Sequence, residues 1–380
     1  MKKSTVGAYG KWLSRLSLNG PGPFSFRNRR FRSAGQWRRL ARPRVLDRLA
    51  MPKTGAPKAR VTSSCVRDGL RVEHLEWRLP YGPPVEAVFL KPAGARGRLP
   101  GILALHCHGG NKVLGWRKIA LGREEPSPLE RKHVEHYYEG RFWANELARR
   151  GYAVLAHDVF GFASRRVRTR DVLDRVRGNA PAADPRTEAE IWRYNEWAAG
   201  HESVMAKALF DAGTTWPGVV LAEDMAALSV LAARPDVDAR RLGCGGLSGG
   251  GLRTVYLAGL DRRVKCAFCA GYMTTWRDMA VTQCWTNTWM VNLALLPGEM
   301  DFPEILGLRV PAPTLVLNTR KDQLYTLPGM KRAAAILRGI YRKAKAPERF
   351  RCSFYPGFHK LDVKMQEEAF GWMSRWMGKR

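Results

Sequence analysis

A serine framed by glycines, an aspartate and a histidine follow one another along this chain, each just past a run of apolar residues. The serine lies in Arg241-Leu-Gly-Cys-Gly-Gly246-Leu247-Ser248-Gly249-Gly250-Gly251, a GxSxG between a strand-like stretch and a helical one over 252–260. A nucleophile on a tight strand-to-helix turn needs residues without Cβ two places to either side, because neighbouring backbone crowds the bend. A serine hydroxyl also needs a base to take its proton and an acid to hold that base in the right tautomer. The apolar run 313–318 leads to Asp322, and the run 350–355 leads through Pro-Gly-Phe to His359. The pattern predicts acyl transfer, with Ser248 as nucleophile, His359 as general base and Asp322 as the orienting acid; Asp301 is the alternative acid.

Acyl transfer also needs backbone donors where an oxyanion forms. Gly249 N–H follows the nucleophile and supplies one. The run 102–105 delivers His106-Cys107-His108-Gly109-Gly110-Asn111, so Gly110 or its neighbour Gly109 is expected to supply the other. Strand alternation puts His106 and His108 on one side, but no third ligand is evident, so no metal and no cofactor is expected. His108 is read instead as a brace of the loop beside the substrate. The aromatic and Met-rich stretch 271–303 offers Tyr272, Met273 and Trp276 as an apolar pocket wall, with core packing as an equal alternative. Arg165, Arg166, Arg168 and Arg170 could draw an acidic substrate or form a solvated charged face.

These residues need a scaffold that gathers strand ends. Period-two alternation over 70–77 and 85–91 predicts an antiparallel pair. From Pro100 onward short apolar runs at 102–105, 153–156, 241–245, 264–270, 313–317 and 350–355 alternate with helical segments at 140–150, 219–233, 330–343 and 362–377, the rhythm of buried parallel strands with crossover helices. The expected fold class is therefore α/β: a doubly wound, mostly parallel sheet of about eight strands. Insertions at about 163–217, with a helix near 189–198, and at 271–303 follow strand carboxyl ends, where open α/β sheets bind ligands. The expected organisation is a basic extension over 1–60 and a catalytic unit over 61–380.

The 380 residues are 45% hydrophobic and 26% charged, which excludes a disordered, collagen-like or coiled-coil chain. Residues 1–60 hold 16 Lys or Arg and one acid, Asp47, a concentrated share of the net charge of +30. Arginine dominates the basic residues throughout, which fits a compositional bias as well as a partner, and a nucleic-acid partner is not expected. A helix over 33–50 is predicted there from Trp37, Leu40, Val45, Leu46 and Leu49, with Pro43 expected to kink or restart it. It could pack on its own core or on a second subunit, so a homo-oligomer stays open. The seven cysteines, an odd and dispersed set, do not form a disulfide framework, and Cys266 with Cys269 reads as core. Met1-Lys2-Lys3 is not followed by an apolar segment, and no stretch reaches the roughly 18 apolar residues of a membrane span, so a cytoplasmic protein without a membrane partner is expected.

The order strand, His108-Gly109-Gly110, Gly151-Tyr152-Ala-Val-Leu-Ala-His-Asp158-Val-Phe-Gly161-Phe, Gly246-Leu-Ser248-Gly-Gly-Gly, Asp322, His359 resembles the α/β-hydrolase superfamily, in its dienelactone-hydrolase-like and acetylxylan-esterase-like branch, over about residues 70–378. The resemblance implies the triad Ser248, His359 and Asp322, with Gly249 and Gly110 as oxyanion donors. Dienelactone hydrolases carry a Cys where Ser248 stands, and the loop has two glycines rather than three, so only the machinery transfers. The expected activity is hydrolysis of small acyl esters. A peptidase of the prolyl-oligopeptidase type, without room for its propeller, and a non-catalytic polyanion binder using residues 1–60 are the alternatives.

Overall fold

The computed structural model describes residues 4–16 and 20–378; Met1-Lys2-Lys3 of the leader lies outside the described residues. Nine strands form one sheet: β1 Arg60–Arg67, β2 Leu70–Trp77, β3 Val85–Pro92, β4 Leu99–Leu105, β5 Ala153–His157, β6 Val237–Leu247, β7 Val264–Ala270, β8 Thr314–Thr319 and β9 Phe350–Tyr355. Their order is β1-β2-β3-β5-β4-β6-β7-β8-β9. The pairs among β1, β2, β3 and β5 are antiparallel, and all pairs from β5 across to β9 are parallel. The fold class is the expected one, with one strand more.

The extra strand is β1. Its residues, Arg-Val-Thr-Ser-Ser-Cys-Val-Arg, stay largely exposed at the sheet edge, so it carries no apolar run to betray it. The central strands are buried on both faces, and each face is covered by its own apolar cluster. From β4 the chain goes on to β5 on one side and from β6 to β7 on the other, so the connections leave these two neighbouring carboxyl ends in opposite directions. That divergence opens a crevice at the ends of β4 and β6, the place where such sheets hold ligands.

The Ala34–Leu49 helix packs on the main core of its own chain through Trp37, Ala41, Val45 and Leu49. It begins at Ser33, whose side chain accepts from Gln36 N–H, and it runs unbroken through Pro43. Leu40 is exposed and Ala41 takes its place on the buried side. Trp37 stacks on Phe26 with centroids 4.8 Å apart, and its indole N–H donates to Phe24 O at 2.7 Å.

The segment between β5 and the Trp216–Ala232 helix holds a 24-residue helix, Glu188–Asp211, far longer than its sequence signal near 189–198. The segment after β7 winds through short helical turns before the Phe302–Gly307 helix. Among the described residues, no single helix is long and apolar enough to cross a membrane.

Candidate active site

Ser248 stands between the end of β6 and the Gly249–Leu260 helix, with φ 57° and ψ −120°, a conformation a serine holds only under external restraint. The restraint is the end of β4. A Cβ on Gly246 would lie 2.2 Å from Leu105 O, and one on Gly250 would lie 2.1 Å from the same oxygen. The two outer glycines of GxSxG therefore let one carbonyl press on the bend from both sides. Ser248 N–H donates to Ala270 O at 2.9 Å, which ties the bend to the end of β7.

Asp322 and His359 leave the ends of β8 and β9. The ladder between those strands continues past their ends, with Arg320 N–H donating to Tyr355 O at 2.8 Å and Lys321 N–H to Gly357 O at 3.0 Å. The two loops are thus held side by side. His359 Nδ1 lies 2.7 Å from Asp322 Oδ2, and the other carboxylate oxygen accepts from Leu324 N–H at 2.9 Å. His359 N–H donates to Gln323 Oε1 at 3.3 Å. Gly271, at φ +58°, lets the ring close in, since a Cβ there would lie 2.9 Å from His359 Cε1. His359 Nε2 is buried and without a hydrogen-bond partner among the described residues. The ring and Ser248 border the same cleft, about 400 Å³ in volume. Asp301 is elsewhere: it caps the Phe302–Gly307 helix and accepts from Trp276 N–H and Phe302 N–H.

The loop after β4 is held by groups the sequence reading passed over. Lys118 Nζ donates to Cys107 O at 2.9 Å and to His108 O at 2.7 Å, and burial pulls its ammonium down to about 7. His106 and His108 both set their edges against the Phe162 ring, at 5.1 and 5.3 Å, so they do share a side. His108 Nε2 lies 2.9 Å from Glu202 Oε1, which also receives the Lys112 ammonium. Burial and then the Lys112 charge lower His108 to about 4, so its ring is neutral near pH 7. Gly110 N–H donates to His108 Nδ1 at 3.2 Å, which leaves the ring proton on Nε2 to donate to Glu202. The Gly110 amide, expected to face an oxyanion, is thus engaged by His108 here. Gly249 N–H opens a helix and has no acceptor within it.

Glu202 comes from the Glu188–Asp211 helix and joins three segments. Its second oxygen accepts from Thr288 Oγ at 2.6 Å and Trp289 N–H at 3.1 Å, both in the insertion after β7. Two turns earlier on the same helix, Asn195 Oδ1 accepts from Lys112 N–H at 2.7 Å. Burial pushes the Glu202 carboxyl up, but its hydrogen bonds and charges from His108 and Lys112 outweigh that and hold it well below the usual range. A sign was present: Tyr194, Ala198, Glu202 and Ala206 form the buried stripe of their helix at four-residue spacing, and an acid in such a stripe calls for a partner.

Of the expected pocket residues, His108 and Tyr272 border the cleft, whereas Met273 and Trp276 are packed in the core. Trp276 lies edge-on to Phe302 at 5.0 Å, and its backbone N–H donates to Asp301. The wall is made instead by Trp289, Asn287, Tyr325 and Tyr137. Of the arginines at 165–170, Arg165 is buried against Glu223, Arg166 and Arg168 pair with Asp184, and Arg170 alone is exposed as a charged face would be.

No family model matches the chain. It is 25% identical over 292 residues to the Bacillus subtilis (strain 168) protein named "Putative hydrolase YtaP", covering 77% of this chain and 83% of that one. Its structure is similar to that of a Bacteroides fragilis protein described as a "putative acetyl xylan esterase", with TM-score 0.65, 18% identity, and 92% and 82% of the two chains covered. It is also similar to the glucuronoyl esterase of Solibacter usitatus, with TM-score 0.59, 15% identity, and coverage of 95% and 99%. Acetyl xylan esterase 1 of Thermoanaerobacterium sp. gives TM-score 0.53 at 16% identity over 96% and 98%. The chain has the α/β-hydrolase fold.

Proposed function

We propose that this chain is a serine hydrolase that cleaves carboxylic esters of small acyl groups such as acetyl. The observation that carries the reading is the single cleft bordered by Ser248 and by His359, whose far nitrogen is held by Asp322 at 2.7 Å. The esterase neighbours and the hydrolase relative support the reaction class. Ser248 Oγ attacks the ester carbonyl while His359 Nε2 takes its proton, and Asp322 stabilises the imidazolium. The oxyanion is received by Gly249 N–H and by the Gly109–Gly110 loop, where the Gly110 amide must first leave His108. Collapse expels the alcohol with the proton from His359, and water, deprotonated by the same nitrogen, releases the acid and restores Ser248.

Residues 1–60 are taken as an extension and 61–380 as the catalytic unit, with the two insertions roofing the cleft through Glu202, Asn287 and Trp289. All seven cysteines are free, which suits a reducing compartment and so the cytoplasm. The test is fluorophosphonate labelling of wild type, Ser248→Ala and His359→Ala, with hydrolysis of p-nitrophenyl acetate and butyrate alongside. Labelling confined to wild type and faster turnover of acetate are expected. A folded wild type that neither labels nor hydrolyses either ester would overturn the reading.

A further inference from the structure

A second concavity, larger than the one beside Ser248, lies on another side of the sheet. It is a cleft of about 690 Å³ between the Ala34–Leu49 helix and the amino ends of β7 and β8. Strands of this length put it about 20 Å from the carboxyl ends that carry Ser248 and Asp322. The helix turns Gly35, Arg38, Arg39 and Arg42 to it, at i, i+3, i+4 and i+7, a stripe that flanks the buried one of Trp37, Ala41 and Val45. Arg262, Lys265, Arg309 and Arg349 face them from the sheet side.

Several arginines elsewhere in this chain are matched with acids, as at Glu299, Glu367 and Asp184. Here they are not. Among the described residues Arg38, Arg39, Arg42, Arg262, Lys265 and Arg309 form no ion pair, and Arg349 has only the exposed Glu348 at 3.4 Å. The one acid in the lining, Asp261, is taken by Arg263 at 2.6 Å. Arg38 and Arg42 are turned onto backbone oxygens, of Val310 and Leu260, and burial followed by the charge of Arg262 lowers both guanidinium groups. Like charges are thus held together at a cost that a multivalent anion would relieve. Two further donors of lining residues, Arg309 Nε and Trp376 Nε1, are buried without a partner.

We propose that this cleft binds an oligophosphate, a compact anion with two or more linked phosphate groups. Guanidinium groups that line a concavity, with the side chains of Arg39 and Arg262 bound to nothing among the described residues, suit such an anion through charge-assisted hydrogen bonds. A single-stranded nucleic acid would want open aromatic faces for its bases. The one aromatic ring of the lining, Trp376, instead has the guanidinium carbons of Arg349 and Arg375 over it at 5.3 and 5.2 Å. The site is separate from the proposed hydrolase centre and does not rest on it.

The test is calorimetric titration of the full chain with tripolyphosphate at about 150 mM salt, where diffuse surface attraction is screened. Arg39→Ala/Arg262→Ala removes two exposed cleft cations that donate no side-chain hydrogen bond within the fold; Arg186→Ala/Arg240→Ala removes two exposed charges elsewhere. Saturable one-to-one binding is expected, weakened about tenfold or more by the first pair and less than about twofold by the second. Orthophosphate should bind far more weakly than tripolyphosphate. Absence of saturable binding, or an equal loss in the two double variants, would overturn the proposal. So would tighter binding of a single-stranded DNA of about 20 nucleotides with the same sensitivity to the cleft variant, which would make the surface a nucleic-acid site.

Discussion

His359 Nδ1 and Asp322 Oδ2 are 2.7 Å apart, while the competing acid, Asp301, spends a single oxygen on two backbone amides, those of Trp276 and Phe302. The two carboxylates therefore separate by experiment. Asp322→Asn should lower kcat for p-nitrophenyl acetate roughly a thousand- to ten-thousand-fold, because an amide stabilises neither the imidazolium nor the required tautomer. Asp301→Asn keeps a capping oxygen and should leave kcat within about twofold, with stability changed by less than about 1 kcal/mol. Equal losses in kcat would remove Asp322 from its role.

The bend at Ser248 makes a second prediction. Gly250→Ala places a methyl group 2.1 Å from Leu105 O, a backbone atom that cannot step aside. We expect a loss of about 3 kcal/mol or more, or failure to fold. Gly110→Ala meets open space and bears only the strain of φ +64°, about 1 kcal/mol. Urea denaturation of the two variants compares them directly.

Glu202→Gln should destabilise the chain by about 3 kcal/mol at pH 7, since it leaves the Lys112 ammonium buried beside neutral groups. The effect has a defined pH dependence. Folding depresses the Glu202 carboxyl, so its stabilisation is whole above 4.5, the ordinary value, and is lost as pH falls toward the native value below it. The gap between wild type and Glu202→Gln in urea melts should therefore narrow steadily as pH falls below about 4.5. A gap that widened on acidification would contradict the assignment.

Trp37→Ala should cost about 3 to 5 kcal/mol, the toll of emptying a fully buried indole site, while Leu40→Ala on the exposed side of the same helix should change stability by less than about 0.5 kcal/mol. Thermal melts of the two would show whether the extension is part of the cooperative unit or an appendage.

Which parts were legible in the sequence follows from what each part buries. The central strands were legible because burial on both faces demands unbroken apolar runs, and the candidates Ser248, Asp322 and His359 come from counting past the ends of those runs. β1 escaped because an exposed edge strand such as Arg60–Arg67 needs no such run. Met273 and Trp276 could not be assigned between pocket and core from the sequence, because apolar density is the same whether a side chain faces a cleft or a core. Glu202 was missed because its partners, His108, Lys112, Thr288 and Trp289, are distant in sequence, and only the fold brings them to one carboxylate.

That carboxylate also limits what can be recombined. The Glu188–Asp211 helix, the loop that bears His108 and Lys112, and the turn at Thr288 meet on the two oxygens of a single side chain. A chimera that imports a foreign segment at 163–217 without an acid in register with Glu202 would strand the ammonium of Lys112 and free the turn at 288 in one stroke. The three segments are therefore exchangeable only as a set, and substrate range in this scaffold is modular at the level of that set rather than of any one loop.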